Sequence, residues 1–364
     1  MQLVLQAIYR VRSDARSIEA RARAIAIEQS VEMPVEAIDD ESIKAEIVGR
    51  VLDIADQGHG NFAVRVALAA GTIGADAGQL MNMLFGNTSI HDDVVLADVE
   101  FPDGLLGAFG GPRHGPEGLR RRVGAGPRAL TCSALKPQGL PPKKLADLAR
   151  RLAEGGIDYV KDDHGLADQA YSPFAARVTE IAAALREIDA TSRYVPSLSG
   201  DLDAMRAQIA LARAAGLDAV MLAPMVMGLA NAQRLIREHP QIAFMAHPSL
   251  SGSHISPPLL FGKIFRMIGA DAVIYPNHGG RFGYSPDICR QIAGTALAQR
   301  PGLRASLPVP AGGMTIGRVG EMLDFYGPDI MLLIGGDLLA ARERLVDQTQ
   351  AFVRAVLSCR SDQA

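Results

Sequence analysis

Short apolar segments recur at regular intervals along the last two thirds of the chain. Each ends in a polar residue or a glycine, and each precedes a stretch with helical periodicity. Eight such strand–helix units in roughly 230 residues predict a (β/α)8 barrel, a TIM barrel. An open, doubly wound sheet is the alternative, because a sequence does not reveal strand order. The predicted strands are 129–137, 158–164, 193–199, 217–224, 242–248, 271–277, 305–313 and 330–337.

The first hundred residues have a different pattern. Alternating polar and apolar positions predict four strands, and helical spacing predicts a helix before the fourth. This mixture is typical of a ferredoxin-like α+β domain. A Gly-, Pro- and Arg-rich stretch without sustained periodicity follows and is expected to be a connector. The strands are predicted at 3–12, 46–55, 62–69 and 93–101 and the helix at 75–85; the predicted domains are 1–110 (α+β), 111–128 (connector) and 129–364 (barrel).

Composition and charge narrow the functional classes. The chain has 364 residues, 48% of them hydrophobic, and its 37 basic and 40 acidic residues give a net charge of −3. This balance argues against nucleic acid as a partner. The sequence has neither an apolar stretch of the ~18 residues that span a membrane nor the features of a signal peptide. Three scattered cysteines are too few for a disulfide framework. We therefore expect a cytoplasmic protein that acts on a small molecule.

Reactive side chains follow several of the predicted barrel strands, where the active sites of such barrels lie. Only six of the 37 basic residues are lysines, and two of these six, Lys136 and Lys161, occur at strand ends. The other polar candidates at strand ends are Asp163, His164, Ser197, Ser199, His247, Asn277, His278 and Arg281.

The segment Lys161–His164 is the densest of these clusters. Strand alternation places Lys161 and Asp163 towards the barrel interior and Asp162 towards the helices. Lys161 is then either the cation of a buried ion pair or a lysine that reacts with CO2 to form a carbamate. A carbamate beside Asp163 and His164 suits Mg2+, which would stabilise an enediolate. His164 is suited either to metal binding or to acid–base work.

Two glycine pairs, Gly312–Gly313 and Gly335–Gly336, end the last two predicted strands. Loops at these positions in barrels often bind phosphate, because bare backbone N–H groups can approach an anion closely. Either pair alone is also explained by a tight turn. Two pairs on adjacent strands favour a phosphate site.

These motifs together resemble the large subunit of RuBisCO, and more closely the RuBisCO-like proteins that do not fix carbon. The resemblance extends over nearly the whole chain. Its most specific part is GGxDxxKDD after a strand that contains Lys-Pro. The matching motifs are FGN at 85–87, GPRHG at 111–115, LKPQGL at 135–140, GGIDYVKDDH at 155–164, LPVPAGG at 307–313 and the glycine pair at 335–336.

The resemblance implies roles for the barrel residues. Lys161 matches the lysine that is carbamylated in the family, and Asp163 matches a metal ligand. His164 stands where the family usually has a glutamate ligand. Lys136 matches a lysine that acts in proton transfer, and His247 matches a histidine of the fifth barrel strand. The implied cofactors are therefore Mg2+ and CO2, the latter as a carbamate on Lys161.

The resemblance also implies a homodimer with shared active sites. Asn87 matches an asparagine, and Glu28 a glutamate, that the N-terminal domain of one subunit contributes to the site of the other.

Several departures from the family argue against carboxylation of a bisphosphate. Gln138 replaces a second lysine, Pro248 replaces an arginine that grips a phosphate, and Ala311 replaces a serine. The loop after the sixth barrel strand, 277–284, offers His278 and Arg281 as substrate-binding residues but lacks the lysine that handles CO2.

Without carboxylation, the residues that still match the family imply an enzyme that enolises a phosphorylated ketose. The favoured function is isomerisation of 5-methylthioribulose 1-phosphate in methylthioadenosine salvage. One alternative is decarboxylation of a 3-oxo sugar-acid phosphate, as in apionate catabolism, with Arg281 seating the carboxylate. Another is a dimer that binds a sugar phosphate without catalysis.

Overall fold

The structure, a computed structural model, describes residues 3–252, 254–280 and 282–358, apart from the side chain of residue 103. The described chain divides into two compact units. The first comprises the chain up to Gly111 together with Leu250–Leu260 and Arg300–Leu303, and the second comprises the remainder. No helix in the described ranges is long and apolar enough to cross a membrane.

The first unit contains a four-stranded antiparallel sheet with the strand order β2-β3-β1-β4. This order and the βαββαβ succession of its main elements confirm the ferredoxin-like prediction. The elements are β1 Val4–Arg12, α1 Ile18–Glu28, α2 Glu41–Glu46, β2 Arg50–Asp56, β3 Asn61–Ala69, α3 Ala77–Phe85, β4 Val94–Glu100 and α4 Asp103–Phe109.

The alternation of β1 explains how this sheet is attached to its helices. Leu5, Ala7, Tyr9 and Val11 are fully buried, whereas the residues between them are partly exposed or exposed. The Tyr9 hydroxyl donates a hydrogen bond of 2.6 Å to the carbonyl oxygen of Leu84 in α3. One face of the strand therefore packs against helices, as a period of two residues requires.

The second unit is an eight-stranded parallel barrel. The strand order is β7-β6-β5-β12-β11-β10-β9-β8, and the first and last strands of the barrel are paired through Met331 and Leu130. Hydrogen bonds between the segment 196–198 and Met221 connect β7 to β8 and close the ring. The TIM-barrel prediction is thus confirmed, and the open sheet is excluded. The strands are β5 Leu130–Leu135, β6 Tyr159–Asp162, β7 Arg193–Val195, β8 Ala219–Leu222, β9 Ala243–Ala246, β10 Ala272–Pro276, β11 Leu307–Ala311 and β12 Met331–Leu333.

Helices follow the barrel strands. A further helix, α5, precedes the first barrel strand and lies inside the segment for which the sequence predicts only a connector. Its Leu119 packs into the barrel core with Val123. The helices are α5 Gly115–Arg122, α6 Pro142–Glu154, α7 Phe174–Glu187, α8 Leu202–Ala214, α9 Pro224–Met227, α10 Leu229–Glu238, α11 Phe265–Met267, α12 Pro286–Leu297, α13 Val319–Tyr326, α14 Gly336–Leu339 and α15 Leu345–Ser358, with a π-helical turn at Pro258–Ile264.

The barrel interior is filled by apolar side chains from all eight strands, among them Cys132, Tyr159, Val195, Met221 and Ile274. Because the interior is packed and not open, polar groups gather beyond this core, where the strands end.

Candidate active site

The carboxyl ends of β5, β6 and β9 bring together five of the residues that the sequence singles out. Lys136 follows β5, Lys161 lies within β6 with Asp163 and His164 just after it, and His247 follows β9. Parallel strands present their carboxyl ends on one side of a barrel, which is why residues so distant in sequence converge here.

Asp163 is the electrostatic centre of this cluster. The Lys136 Nζ lies 3.1 Å and the His164 Nδ1 3.4 Å from its Oδ1. Burial alone raises the pKa of the Asp163 carboxyl, but hydrogen bonds from His164 and Lys136 outweigh burial, and the net pKa lies well below its usual range. Asp163 is therefore a carboxylate at neutral pH. The Lys136 side chain is 45% exposed and so remains accessible to a ligand.

Lys161 is buried beneath this cluster, with only 3% of its surface exposed. Its Nζ donates a hydrogen bond of 2.7 Å to the carbonyl oxygen of Asp162. Burial lowers the pKa of the Lys161 ammonium, although the nearby Cys132 and Asp163 oppose that shift. A larger share of Lys161 is consequently neutral amine, the form that accepts a proton or reacts with CO2.

Cys132 lies close enough to Lys161 to affect its charge but is not a nucleophile. Burial raises the pKa of its thiol to about 12, so it stays protonated. The sequence-based expectation of a small buried residue agrees with this environment.

His247 is fixed by two contacts. Its ring stacks on that of His164 with centroids 4.7 Å apart and planes 8° apart. Its Nδ1 accepts a hydrogen bond of 3.2 Å from the backbone N–H of Ser249, and the Ser249 hydroxyl lies 2.8 Å away. Since Nδ1 is an acceptor, the ring proton is on Nε2. Burial, together with the positive charges of Lys161 and His164, lowers the pKa of His247 to about 2.

The side chain of Asp162 points the opposite way from its neighbours. Its carboxylate is fully buried and accepts hydrogen bonds from Arg177 Nε (3.2 Å), the Tyr194 hydroxyl (2.7 Å) and the Ser197 backbone N–H (3.0 Å). The strand alternation thus places Asp162 as predicted. Sequence reasoning missed Arg177, although an arginine among the core-facing positions of α7 is a detectable signal.

Of the glycines expected to bind phosphate, Gly313 faces neighbouring backbone. A Cβ built on Gly313 would lie 2.6 Å from the Cα of Gly280, in the loop after β10. A Cβ built on Gly312, Gly335 or Gly336 would meet no neighbouring atom within 4 Å. An anion could therefore approach these three glycines more closely than Gly313.

The structure separates the two candidate residues of the loop after β10. The His278 ring packs against Phe325 and Tyr326 of α13, with centroid distances of 4.7 and 6.4 Å. These contacts direct it to a helix of the outer ring, which does not support the predicted role in substrate binding. Arg281, the other candidate, lies outside the described residues.

Glu28 and Asn87 lie together in the first unit. Asn87 Nδ2 donates hydrogen bonds to Glu28 Oε1 (2.8 Å) and to Glu32 Oε1 (3.0 Å). Glu28 ends α1 and Asn87 follows α3, so the ferredoxin-like fold makes them neighbours. Glu32 was not anticipated, because its backbone has a positive φ of 54° and no periodic pattern marks it.

The described residues contain no group of three or more His, Cys, Asp and Glu side chains arranged to hold a metal ion. The expected metal site depends on a lysine, which becomes an oxygen ligand only after carbamylation. The side chains fit that chemistry: Lys161 has a pKa lowered by burial, and it lies next to the ionised Asp163.

Comparisons with known proteins agree with this architecture. Residues 117–343 match the family model for the catalytic domain of the ribulose bisphosphate carboxylase large chain. The chain is 58% identical to a 5-methylthioribulose-1-phosphate isomerase of Rhodospirillum rubrum, covering 98% of this chain and 97% of that protein. It is 33% identical to a 2,3-diketo-5-methylthiopentyl-1-phosphate enolase of Geobacillus kaustophilus, covering 80% of this chain and 74% of that protein. A crystal structure of a Rubisco-like protein from Rhodopseudomonas palustris superposes with a TM-score of 0.92 at 48% identity. The superposition covers 98% of this chain and 99% of that one.

Proposed function

Because the chain belongs to the RuBisCO large-chain family, we propose that it is a RuBisCO-like isomerase that enolises a phosphorylated ketose and does not carboxylate it. The substrate we propose is 5-methylthioribulose 1-phosphate, on which the 58% identical relative is named to act. The observation that carries the proposal is the cluster of Lys136, Asp163 and His247 around the buried amine of Lys161.

Isomerisation by enolisation requires a base that removes a proton from the carbon next to a ketone, and an acid that protonates a neighbouring carbon. Lys161 supplies basicity either as a neutral amine or as a carbamate; carbamylation joins CO2 to the amine nitrogen and releases one proton. Lys136 is the other candidate base, since its amine reaches the site from β5 and is partly exposed. Its ammonium form, held by Asp163, is suited to returning the proton.

His247 has a different part in this proposal. A histidine whose pKa is about 2 stays neutral at working pH and cannot serve as a cationic acid. With its proton on Nε2, it donates a hydrogen bond instead, and such a donor stabilises negative charge that develops on a substrate oxygen.

Mg2+ is part of the proposal and would be held by the carbamate of Lys161, by Asp163 and by His164. When bound, Mg2+ supplies positive charge next to the substrate carbonyl. Asp163 supplies an ionised ligand, and the half-exposed His164 offers a ring nitrogen 3.4 Å from the Asp163 Oδ1. The open backbone at Gly312, Gly335 and Gly336 would receive the phosphate group.

The test is to incubate the protein with 5-methylthioribulose 1-phosphate in D2O with Mg2+ and bicarbonate and to follow the carbon-bound protons by NMR. We expect deuterium next to the carbonyl and a new isomer. Lys161→Ala should lower the rate by about 10³-fold, because it removes the proton-accepting group. Lys143→Ala, which changes an exposed lysine at the start of α6, is the matched control and should keep full activity.

Absence of both deuterium uptake and product in the wild-type protein would contradict the proposed function. Release of CO2 from a 3-oxo sugar-acid phosphate, without isomerisation of the ketose, would favour the decarboxylase instead. That alternative depends on Arg281, and no described contact favours it.

A further inference from the structure

Arg177 connects the end of β6 to the loop that follows it. Besides its bond to Asp162, its Nη1 donates to the carbonyl oxygen of Ser172 over 2.7 Å, and its Nη2 donates to that of Ala167 over 2.8 Å. Arg177 has no exposed surface and belongs to α7. A single side chain therefore fixes a strand end and two points of the loop.

The strand end held in this way carries two of the proposed active-site residues. Asp162 separates Lys161 from Asp163, and its carbonyl oxygen accepts the hydrogen bond from Lys161 Nζ. The Tyr194 hydroxyl and the Ser197 N–H hold the other side of the Asp162 carboxylate, so β7 contributes as well. A rotation of the Asp162 peptide would move both Lys161 and Asp163.

Stability alone does not account for this arrangement. Burying two charges has a large desolvation cost, and apolar side chains of similar volume often stabilise a protein as well or better. A fully buried ion pair that also bonds loop carbonyls imposes one geometry, whereas an apolar contact at the same place would tolerate several.

We propose that Asp162 and Arg177 are positioning residues, which hold Lys161 and Asp163 in the arrangement that proton transfer requires. The kinetic part of this inference rests on the proposed function. Its structural part is that the pair fixes the Lys161 amine and the loop 163–173. This part is independent of the proposed function.

The test compares two double variants at opposite ends of β6. Asp162→Asn with Arg177→Met removes both charges of the network, leaves no charge buried alone, and keeps an acceptor for Tyr194. Asp158→Asn with Arg128→Met makes the same changes at the start of the strand, where Arg128 forms a bidentate pair with Asp158 at 2.7 Å. Both carboxylates are buried, and the Arg128 side chain is only 14% exposed, so the second variant controls for loss of a largely buried ion pair.

We expect the Asp162/Arg177 variant to lose about 10²-fold in kcat with little change in KM, because a displacement of about 1 Å is enough for such a loss. The Asp158/Arg128 variant should keep kcat, whatever its melting temperature. Equal kcat values in the two folded variants would overturn the kinetic part of the proposal.

A second readout needs no substrate. Competitive labelling with acetic anhydride reports the reactivity of Lys161, and hydrogen exchange reports the opening of the loop 163–173. Both rates should rise in the Asp162/Arg177 variant and stay at the wild-type level in the control. If the wild type turns over no ketose phosphate, the proposed function fails, yet these rates still decide whether the pair positions Lys161.

Tyr194→Phe keeps the test decisive if the double variant does not fold. It removes only the hydroxyl that bonds Asp162, and it should raise the labelling rate of Lys161 in the same direction, though by less. A folded Tyr194→Phe protein with wild-type labelling and exchange would overturn the proposal.

Discussion

At the scale of single residues, the protonation state of His247 links stability to pH. Its pKa is about 2 in the folded protein, far below the ordinary value of 6.5. Between these values the unfolded chain binds a proton that the folded chain does not. The free energy of unfolding therefore falls as pH drops below about 6.5, by up to about 1.4 kcal/mol per pH unit from this residue.

His247→Gln should flatten that dependence, because glutamine does not titrate. The measurement is urea unfolding of both proteins at several pH values between 7 and 4.5. His91→Gln, at an exposed histidine, is the control and should keep the wild-type slope. A His247→Gln protein whose stability falls with acid as steeply as the wild type would show that His247 is protonated in the folded state.

A sequence reveals a site residue when its place follows from the local secondary structure, and not when it depends on side-chain packing. Lys136, Asp163, His164 and His247 were predicted because each stands at the end of a recognisable strand, and the barrel brings strand ends together. The stacking of His164 on His247 was not predictable, since it depends on side-chain rotation across the barrel. The packing of the His278 ring on α13 was not predictable for the same reason, and its role in substrate binding stays a prediction.

At the scale of elements, the loops after β10 and β11 are packed backbone against backbone. Gly313 has a φ of 64°, and a Cβ there would lie 2.6 Å from Gly280 Cα and 2.7 Å from the Gly279 carbonyl oxygen. Gly313→Ala should therefore lower the free energy of unfolding by about 1–3 kcal/mol, since backbone atoms cannot move aside like a side chain.

Gly312→Ala is the matched variant, because its φ of 88° is also positive but its Cβ would meet no atom within 4 Å. It should cost only about 1 kcal/mol in stability. A methyl group there would hinder a phosphate, so KM should rise. Thermal unfolding and steady-state kinetics on both variants separate the effects. Equal melting temperatures would contradict the close packing at Gly313, and an unchanged KM in Gly312→Ala would contradict a phosphate at Gly312.

Most helices and strands were predictable from the sequence, but the residues at which they begin and end were not. The predicted strand 193–199 is observed only as Arg193–Val195, because the following residues pair with β8 only through an isolated bridge between Ser197 and Met221. The helix α5 was missed, since GPEGLRRR combines a proline, two glycines and three arginines, and Leu119 is its one large apolar residue. Tertiary contacts, and not helical propensity, explain why this helix forms: Leu119 packs in the barrel core, and Arg120 donates hydrogen bonds to the carbonyl oxygens of Arg128 and Pro328.

At the scale of the whole molecule, the family resemblance implies that each active site takes residues from two chains. The barrel of one chain would supply Lys136, Lys161 and Asp163, and the first unit of the other chain would supply the hydrogen-bonded pair of Glu28 and Asn87. We propose, from the family resemblance, that the protein is a homodimer in which Glu28 and Asn87 serve the partner's barrel. An isologous dimer would then contain two equivalent shared sites.

Subunit mixing tests this arrangement. Lys136→Met and Asn87→Ala should each be inactive as homodimers, one for lack of the barrel lysine and the other for lack of the partner's asparagine. Unfolding and refolding the two variants together would yield hybrids, in which one of the two shared sites has both residues intact. An equimolar mixture should therefore recover about one quarter of wild-type activity. If each site were built from one chain alone, every site in the mixture would lack a residue, and no activity would return.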